Sequence, residues 1–184
     1  MESKDPIEVY IEFVRPFYEG RDSVHDFRHI QRIIARLKTL STGLGQPIRT
    51  DRLFFLACFH GLGKQLSGDP EFGTRVRVFL RGLGWSEQDI EAAFQSLSRH
   101  LSDPQSNEEK IVHDANYVET LGAFGIAKAF TTGGARGQSL EETADIFEHQ
   151  YLDKVVFQTP AGKQWAAERK SYAKEFLDRL RNEW

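Results

Sequence analysis

KIVHDANYVETLGAFGIA (110–127) reads as a helix with an acid on the wrong face. At the helical period of about 100° per residue, Ile111, Ala115, Val118, Leu121 and Ile126 draw one apolar arc, and Asp114 projects between Val118 and Leu121. The adjacent His113 points almost opposite. An ionised carboxylate on a buried face costs several kcal/mol unless a positive partner meets it. That partner is either an arginine, in an ordinary structural ion pair, or a metal ion.

The same spacing of three and four recurs along the whole chain, and no segment alternates in strand fashion for long, so the fold class is all-α. Helices are expected at 7–18, 22–40, from Thr50 or Asp51 to a stop at Gly61 or Gly63, at 72–82, at 86–101 with Ser86 as cap, at 107–129 and at 139–153. A last helix carries the stripe Trp165, Arg169, Tyr172, Phe176, Leu180 and Trp184. TTGGARG (131–137) lacks the GK[ST] ending of a phosphate cradle and follows no strand, so a loop between helices is expected there. With 184 residues, no repeat and no linker, the chain is expected to form a single domain over 1–184.

Composition narrows the chemistry. A net charge of −3, from 24 basic and 27 acidic residues, offers no global attraction for nucleic acid or anionic lipid, so neither nucleic acid nor membrane is an expected partner. MESKDPIEVYIEF (1–13) lacks the basic and uninterrupted apolar stretches of a secretory signal, and a cytoplasmic protein is expected. The single cysteine, Cys58, rules out an internal disulfide or a thiolate-cluster metal site, and within LFFLACFH (53–60) it reads as a small buried apolar residue. Metal chemistry would therefore fall to histidines and carboxylates. His29 lies at the edge of the apolar arc of its helix, in line with His25, Arg32 and Arg36. His60 lies on the most apolar face of the most apolar helix, where an imidazole needs partners for both nitrogens. Two imidazoles and Asp114, from three helices, are an acceptable set for a borderline divalent ion, although the spacing alone is not specific. His113 and His149 are expected to have no part in such a site.

HDFRHIQRI (25–33), LACFHGLGK (56–64), SRH (98–100) and KIVHDANYVETLGAFGIAKAF (110–130) with GGARG following resemble, in order, the blocks of the HD-domain superfamily of metal-dependent phosphohydrolases, and most closely its small stand-alone bacterial branch. The resemblance covers about residues 20–184 and implies a single HD-type helical domain. It places the family's metal-binding histidines on His29 and His60 and its last aspartate on Asp114, with His25 and Asp26 as supporting residues that could orient an imidazole. Two departures stand out: the aspartate of the His-Asp pair is Gly61, and a second acid near the site is Asn116.

Carried over, the resemblance implies hydrolysis of a nucleotide or other small phosphorylated molecule by a water activated on Mn²⁺, Mg²⁺, Fe²⁺ or a similar divalent ion. Lys64, Arg32 and His100 would hold the phosphoryl oxygens and steady the leaving group. Loss of the paired aspartate leaves two alternatives. A site of two histidines and one carboxylate suits an oxygenase or lyase, and the fold could instead keep a pocket that binds without turnover. Apolar helical surfaces are also compatible with a homodimer.

Overall fold

The computed structural model describes residues 5–20, 26–45 and 47–183, and these contain helices and turns but no strand. α1 (Pro6–Val14) starts where Asp5 accepts the Ile7 N–H and Pro6 supplies a preset φ, and it tightens into a 3-10 turn at Arg15–Tyr18. α2 (Phe27–Leu40) follows Asp26, and α3 (Thr50–Phe59) is the buried helix expected from its composition. The expected stop at Gly61 or Gly63 does not occur. The chain tightens into a 3-10 turn at His60–Leu62 and continues as α4 (Gly63–Gly68), because neither glycine takes a positive φ. Asp69 then caps α5 (Pro70–Gly82), and Ser86 caps α6 (Glu87–Arg99) as expected.

The helix expected over 107–129 is broken. α7 (Asn107–Tyr117) passes through a 3-10 turn at Val118–Thr120, and α8 (Gly122–Ala135) restarts at Gly122, whose φ is +66. α8 also takes in residues 131–135 of the stretch expected to be a loop, and only Arg136 and Gly137 turn out of the helix. Gly133 there lets the next helix approach, since a Cβ at that position would meet Thr143 Oγ1 at 2.2 Å. α9 (Leu140–Phe147) opens with a full capping box between Ser139 and Glu142 and widens into a π turn at Glu148–Asp153. α10 (Pro160–Glu183) ends the described chain.

Residues divide into two compact units, 1–37 with 45–112 and 38–44 with 113–184, the divisions falling inside α2 and α7. In the first unit α3 packs on α1 and α6, and α4 and α5 pack on each other and on α6. Its core is aromatic: Phe13 stacks on Phe79 at 4.1 Å and Phe55 on Phe59 at 4.6 Å between ring centres. One carboxylate in this unit is fully buried. Glu109 accepts both the Nε–H and an Nη2–H of Arg99, at 3.0 and 2.8 Å, and the Gln105 N–H at 2.9 Å. Burial alone would push this carboxyl up, but Arg99, the Gln105 amide and Ser96 outweigh it and hold it below its ordinary value.

In the second unit α8 packs against α9 and α10. The core contains Val118, Leu121, Ile126, Ala144, Phe147, Leu152, Phe157, Ala166, Ala173 and Leu177, the larger side chains each worth about 1.5–3 kcal/mol when buried. Arg169 fixes the restart of α8, with its aliphatic stem 3.2 Å from where a Gly122 Cβ would stand and its guanidinium donating to the Val118 carbonyl at 3.3 Å.

Candidate functional site

Three imidazoles line up in the first unit. His29, buried on α2, has its ring centre 5.4 Å from that of His60, and His60 lies 5.0 Å from His100 at the end of α6. His60 Nδ1 and His100 Nε2 are 2.8 Å apart, and His100 Nδ1 lies 2.7 Å from the Leu97 carbonyl oxygen. The carbonyl can only accept, so His100 Nδ1 carries a proton. With His100 neutral, its Nε2 then accepts from His60 Nδ1–H, which leaves the lone pair of His60 on Nε2. Both His100 nitrogens are engaged by the protein. The residue expected to touch phosphoryl oxygens therefore serves to orient His60.

Gly61, where the family has its aspartate, is exposed, and its N–H donates to the Tyr18 hydroxyl at 3.1 Å, which itself donates to the Cys58 carbonyl at 3.0 Å. Cys58 itself is fully buried, and that burial, with Glu8 as a lesser cause, pushes its thiol up to about 12, so it is no nucleophile.

Asp114 belongs to the second unit and is fully buried. Its carboxylate meets no arginine among the described residues. Oδ2 accepts from the Thr159 N–H at 2.7 Å, the Thr159 hydroxyl at 2.8 Å and the Gln158 N–H at 3.1 Å, and Oδ1 accepts from Gln158 N–H at 3.0 Å. His113 Nδ1 completes the set at 2.9 Å from Oδ1. The expectation that His113 points away from Asp114 thus fails: buried against Tyr117, with 4.7 Å between ring centres, its imidazole folds back to the neighbouring carboxylate. The Thr159 hydroxyl also accepts the Gly162 N–H at 2.9 Å, so Thr159 is the N-cap of α10 and Asp114 holds that cap. Gly162 is obligatory in this arrangement, because a Cβ there would stand 2.1 Å from Asp114 Oδ2.

The other expected residues are scattered in role. Asp26 caps α2, its Oδ1 accepting the N–H groups of Arg28 at 2.9 Å and His29 at 3.3 Å. Arg32 is half-buried on α2, and Lys64 is exposed on α4. His25 lies outside the described residues, as does Trp184 of the last stripe. His149 is exposed, its Nδ1 2.8 Å from the Asp145 carbonyl oxygen. A depression of about 370 Å³ in the first unit, lined by Tyr10, Arg49, Trp85 and Asp89 among others, contains none of the expected site residues.

These donors do not fit a divalent metal of the family type. Position 61 has no side chain to offer, and the Asp114 carboxylate is committed to three backbone and side-chain groups of Gln158 and Thr159 and to His113. Among the described residues no three His, Cys, Asp or Glu side chains are grouped so as to hold a metal ion. The spacing points correctly to the burial of Asp114, but His60, expected on the most apolar face of its helix, is only half-buried, and His29, expected at the margin of its arc, is buried. The spacing misses Tyr18, Gln158 and Thr159, although Thr159-Pro160-Ala161-Gly162 has the look of a helix start, with a capping hydroxyl ahead of a proline.

No protein-family model matches the chain. It is 32% identical to the uncharacterised protein YpgQ of Bacillus subtilis, over 91% of this chain and 88% of that one. Among solved structures it is similar to an HD-superfamily hydrolase from Bacillus thuringiensis, with a TM-score of 0.78 and 27% identity over 97% of this chain and 96% of the other. It is also similar to the structure of Bacillus subtilis YpgQ in complex with ADP, with a TM-score of 0.70 and 23% identity over 94% of this chain and 96% of that one.

Proposed function

Because the chain belongs to the HD superfamily of hydrolases, we propose that it is a phosphohydrolase acting on a nucleotide or other small phosphorylated molecule. The observation that carries this reading is the ordered pair of His60 and His100, 2.8 Å apart, at the place where the resemblance puts the centre of the site. The complex of YpgQ with ADP supports a nucleotide as the ligand class.

Hydrolases of this superfamily generally depend on a divalent metal, and the donors described above do not make such a centre, so the chain's own side chains carry the chemistry. His60, oriented by His100 through Nδ1, is the imidazole that takes a proton from water as its oxygen attacks phosphorus. The bond to the leaving oxygen breaks, and the proton passes from the imidazolium to that oxygen or to solvent. Lys64 and Arg32 are the cations assigned to the phosphoryl oxygens.

The test is incubation of the whole chain with nucleoside mono-, di- and triphosphates, in EDTA and in Mn²⁺, with products resolved by chromatography. Release of phosphate or pyrophosphate that His60→Gln abolishes supports the reading. Loss of the aspartate at position 61 favours a second one, a nucleotide-binding protein without turnover; saturable binding with no product would establish it. The Asp114 carboxylate that an oxygenase or lyase would need as a ligand holds the start of α10 instead.

A further inference from the structure

We infer that the divalent-metal centre of this fold has been dismantled in this chain and that its last carboxylate, Asp114, has become the clamp of a helix start, so the protein folds without a metal ion. The inference rests on the reading of the site as an HD-type one, and it follows from what the two carboxylate positions now do. At 61 there is no carboxylate, and the backbone N–H there is tied to the Tyr18 hydroxyl at 3.1 Å. At 114 the carboxylate accepts two N–H groups, a hydroxyl and an imidazole N–H, between 2.7 and 3.1 Å, in a fully buried setting. A metal would have to strip donors from Asp114, leaving the buried Thr159 N–H and hydroxyl and the part-buried Gln158 N–H without their acceptor. Gly162 adds a second, independent sign, since a Cβ there would fall 2.1 Å from Oδ2 and 2.8 Å from Cγ. The α10 backbone closes directly on this oxygen, on a side where a coordination sphere would need room.

The closing experiment reads metal and stability, not turnover. The whole chain, purified without chelator, is analysed for metal by mass spectrometry, titrated with Mn²⁺ by calorimetry and melted in EDTA and in millimolar Mn²⁺. The expected result is fewer than about one metal ion in ten chains, no saturable Mn²⁺ heat and one melting midpoint in both buffers. A resident metal at a hundredfold its Kd would instead raise the midpoint by several degrees. In Asp114→Asn the midpoint should fall by the same amount in EDTA as in Mn²⁺, because the loss is one of hydrogen bonds; Thr159→Val, which keeps the carboxylate, should fall in the same metal-independent way. Stoichiometric metal in the purified chain, or a midpoint that rises with Mn²⁺ in the natural chain and not in Asp114→Asn, would overturn the inference. Absence of phosphate release in the assay of the preceding section would strike down the hydrolase reading and leave these measurements untouched.

Discussion

Replacing Gly162 by alanine adds one methyl group at the tightest contact around Asp114. The new Cβ would stand 2.1 Å from Oδ2 and 2.8 Å from both the carboxylate carbon and the Thr159 hydroxyl. Asp114 is too short and too buried to swing aside, so the carboxylate must leave Thr159, whose N–H and O–H now reach it at 2.7 and 2.8 Å. Each such bond to a charged acceptor is worth about 1.5–3 kcal/mol, and alanine returns about 1 kcal/mol through its better helix propensity. The net loss is about 3 kcal/mol, which for a chain of this length lowers the melting midpoint by about 6–12 °C. Gly134→Ala in α8 is the control, since a Cβ there meets nothing within 4 Å; that variant should melt at or slightly above the parent. Thermal and urea unfolding followed by circular dichroism measure both. A Gly162→Ala protein that melts with or above the parent would refute the claim that α10 closes on a committed carboxylate.

Gly61→Asp should fold with stability close to that of the parent, because position 61 lies in a 3-10 turn without positive φ, and calorimetry should still show no saturable Mn²⁺ heat, because the Asp114 carboxylate stays committed to Gln158 and Thr159. Glu109 sits below its ordinary value of 4.5 in the folded protein, so the unfolded chain takes up its proton first as pH falls; the stability it contributes is full above that value and is lost as pH drops through the lower folded one. Unfolding free energies measured from neutral pH down to pH 3 should therefore fall less steeply in Glu109→Gln than in the parent. Cys58 should resist Ellman's reagent in the native protein and react within the dead time once urea unfolds it, which a fast native reaction would contradict.

Much of this molecule is legible in its sequence for physical reasons. The apolar arcs of three and four place α3, α6 and α10, and Ser86 caps its helix through a side chain whose chemistry has few other uses there. Boundaries set by tertiary contact are not legible. Nothing local distinguishes the helical Gly61 and Gly63 from the chain-bending Gly122, and only the packing of Arg169 against Gly122 shows why α7 and α8 separate there. Asp114 illustrates the same limit at the site. Its burial follows from the arc of its helix, but its partners lie 44 and 45 residues away in backbone amides and a hydroxyl, groups that carry no charge pattern to read. The angular count puts His113 on the wrong side because it follows Cβ directions and ignores an imidazole that turns back to its neighbour.

The order in which α7 satisfies its two fully buried acids, Glu109 and Asp114, has a consequence for how the chain acquires its structure. Glu109 finds Arg99 across a separation of 10 residues, a contact that a nascent chain can make soon after α7 emerges. Asp114, five positions on, waits for residues 158 and 159, and closing a loop of about 45 residues costs roughly 3 kcal/mol in chain entropy before any bond is made. Until then only His113 meets the carboxylate, and burying it is opposed by the unmade bonds to Gln158 and Thr159. The arrival of the α10 start thus acts as a completion step, in which a chain shortened before Thr159 would keep an anion that prefers water and a second unit held open to proteolysis.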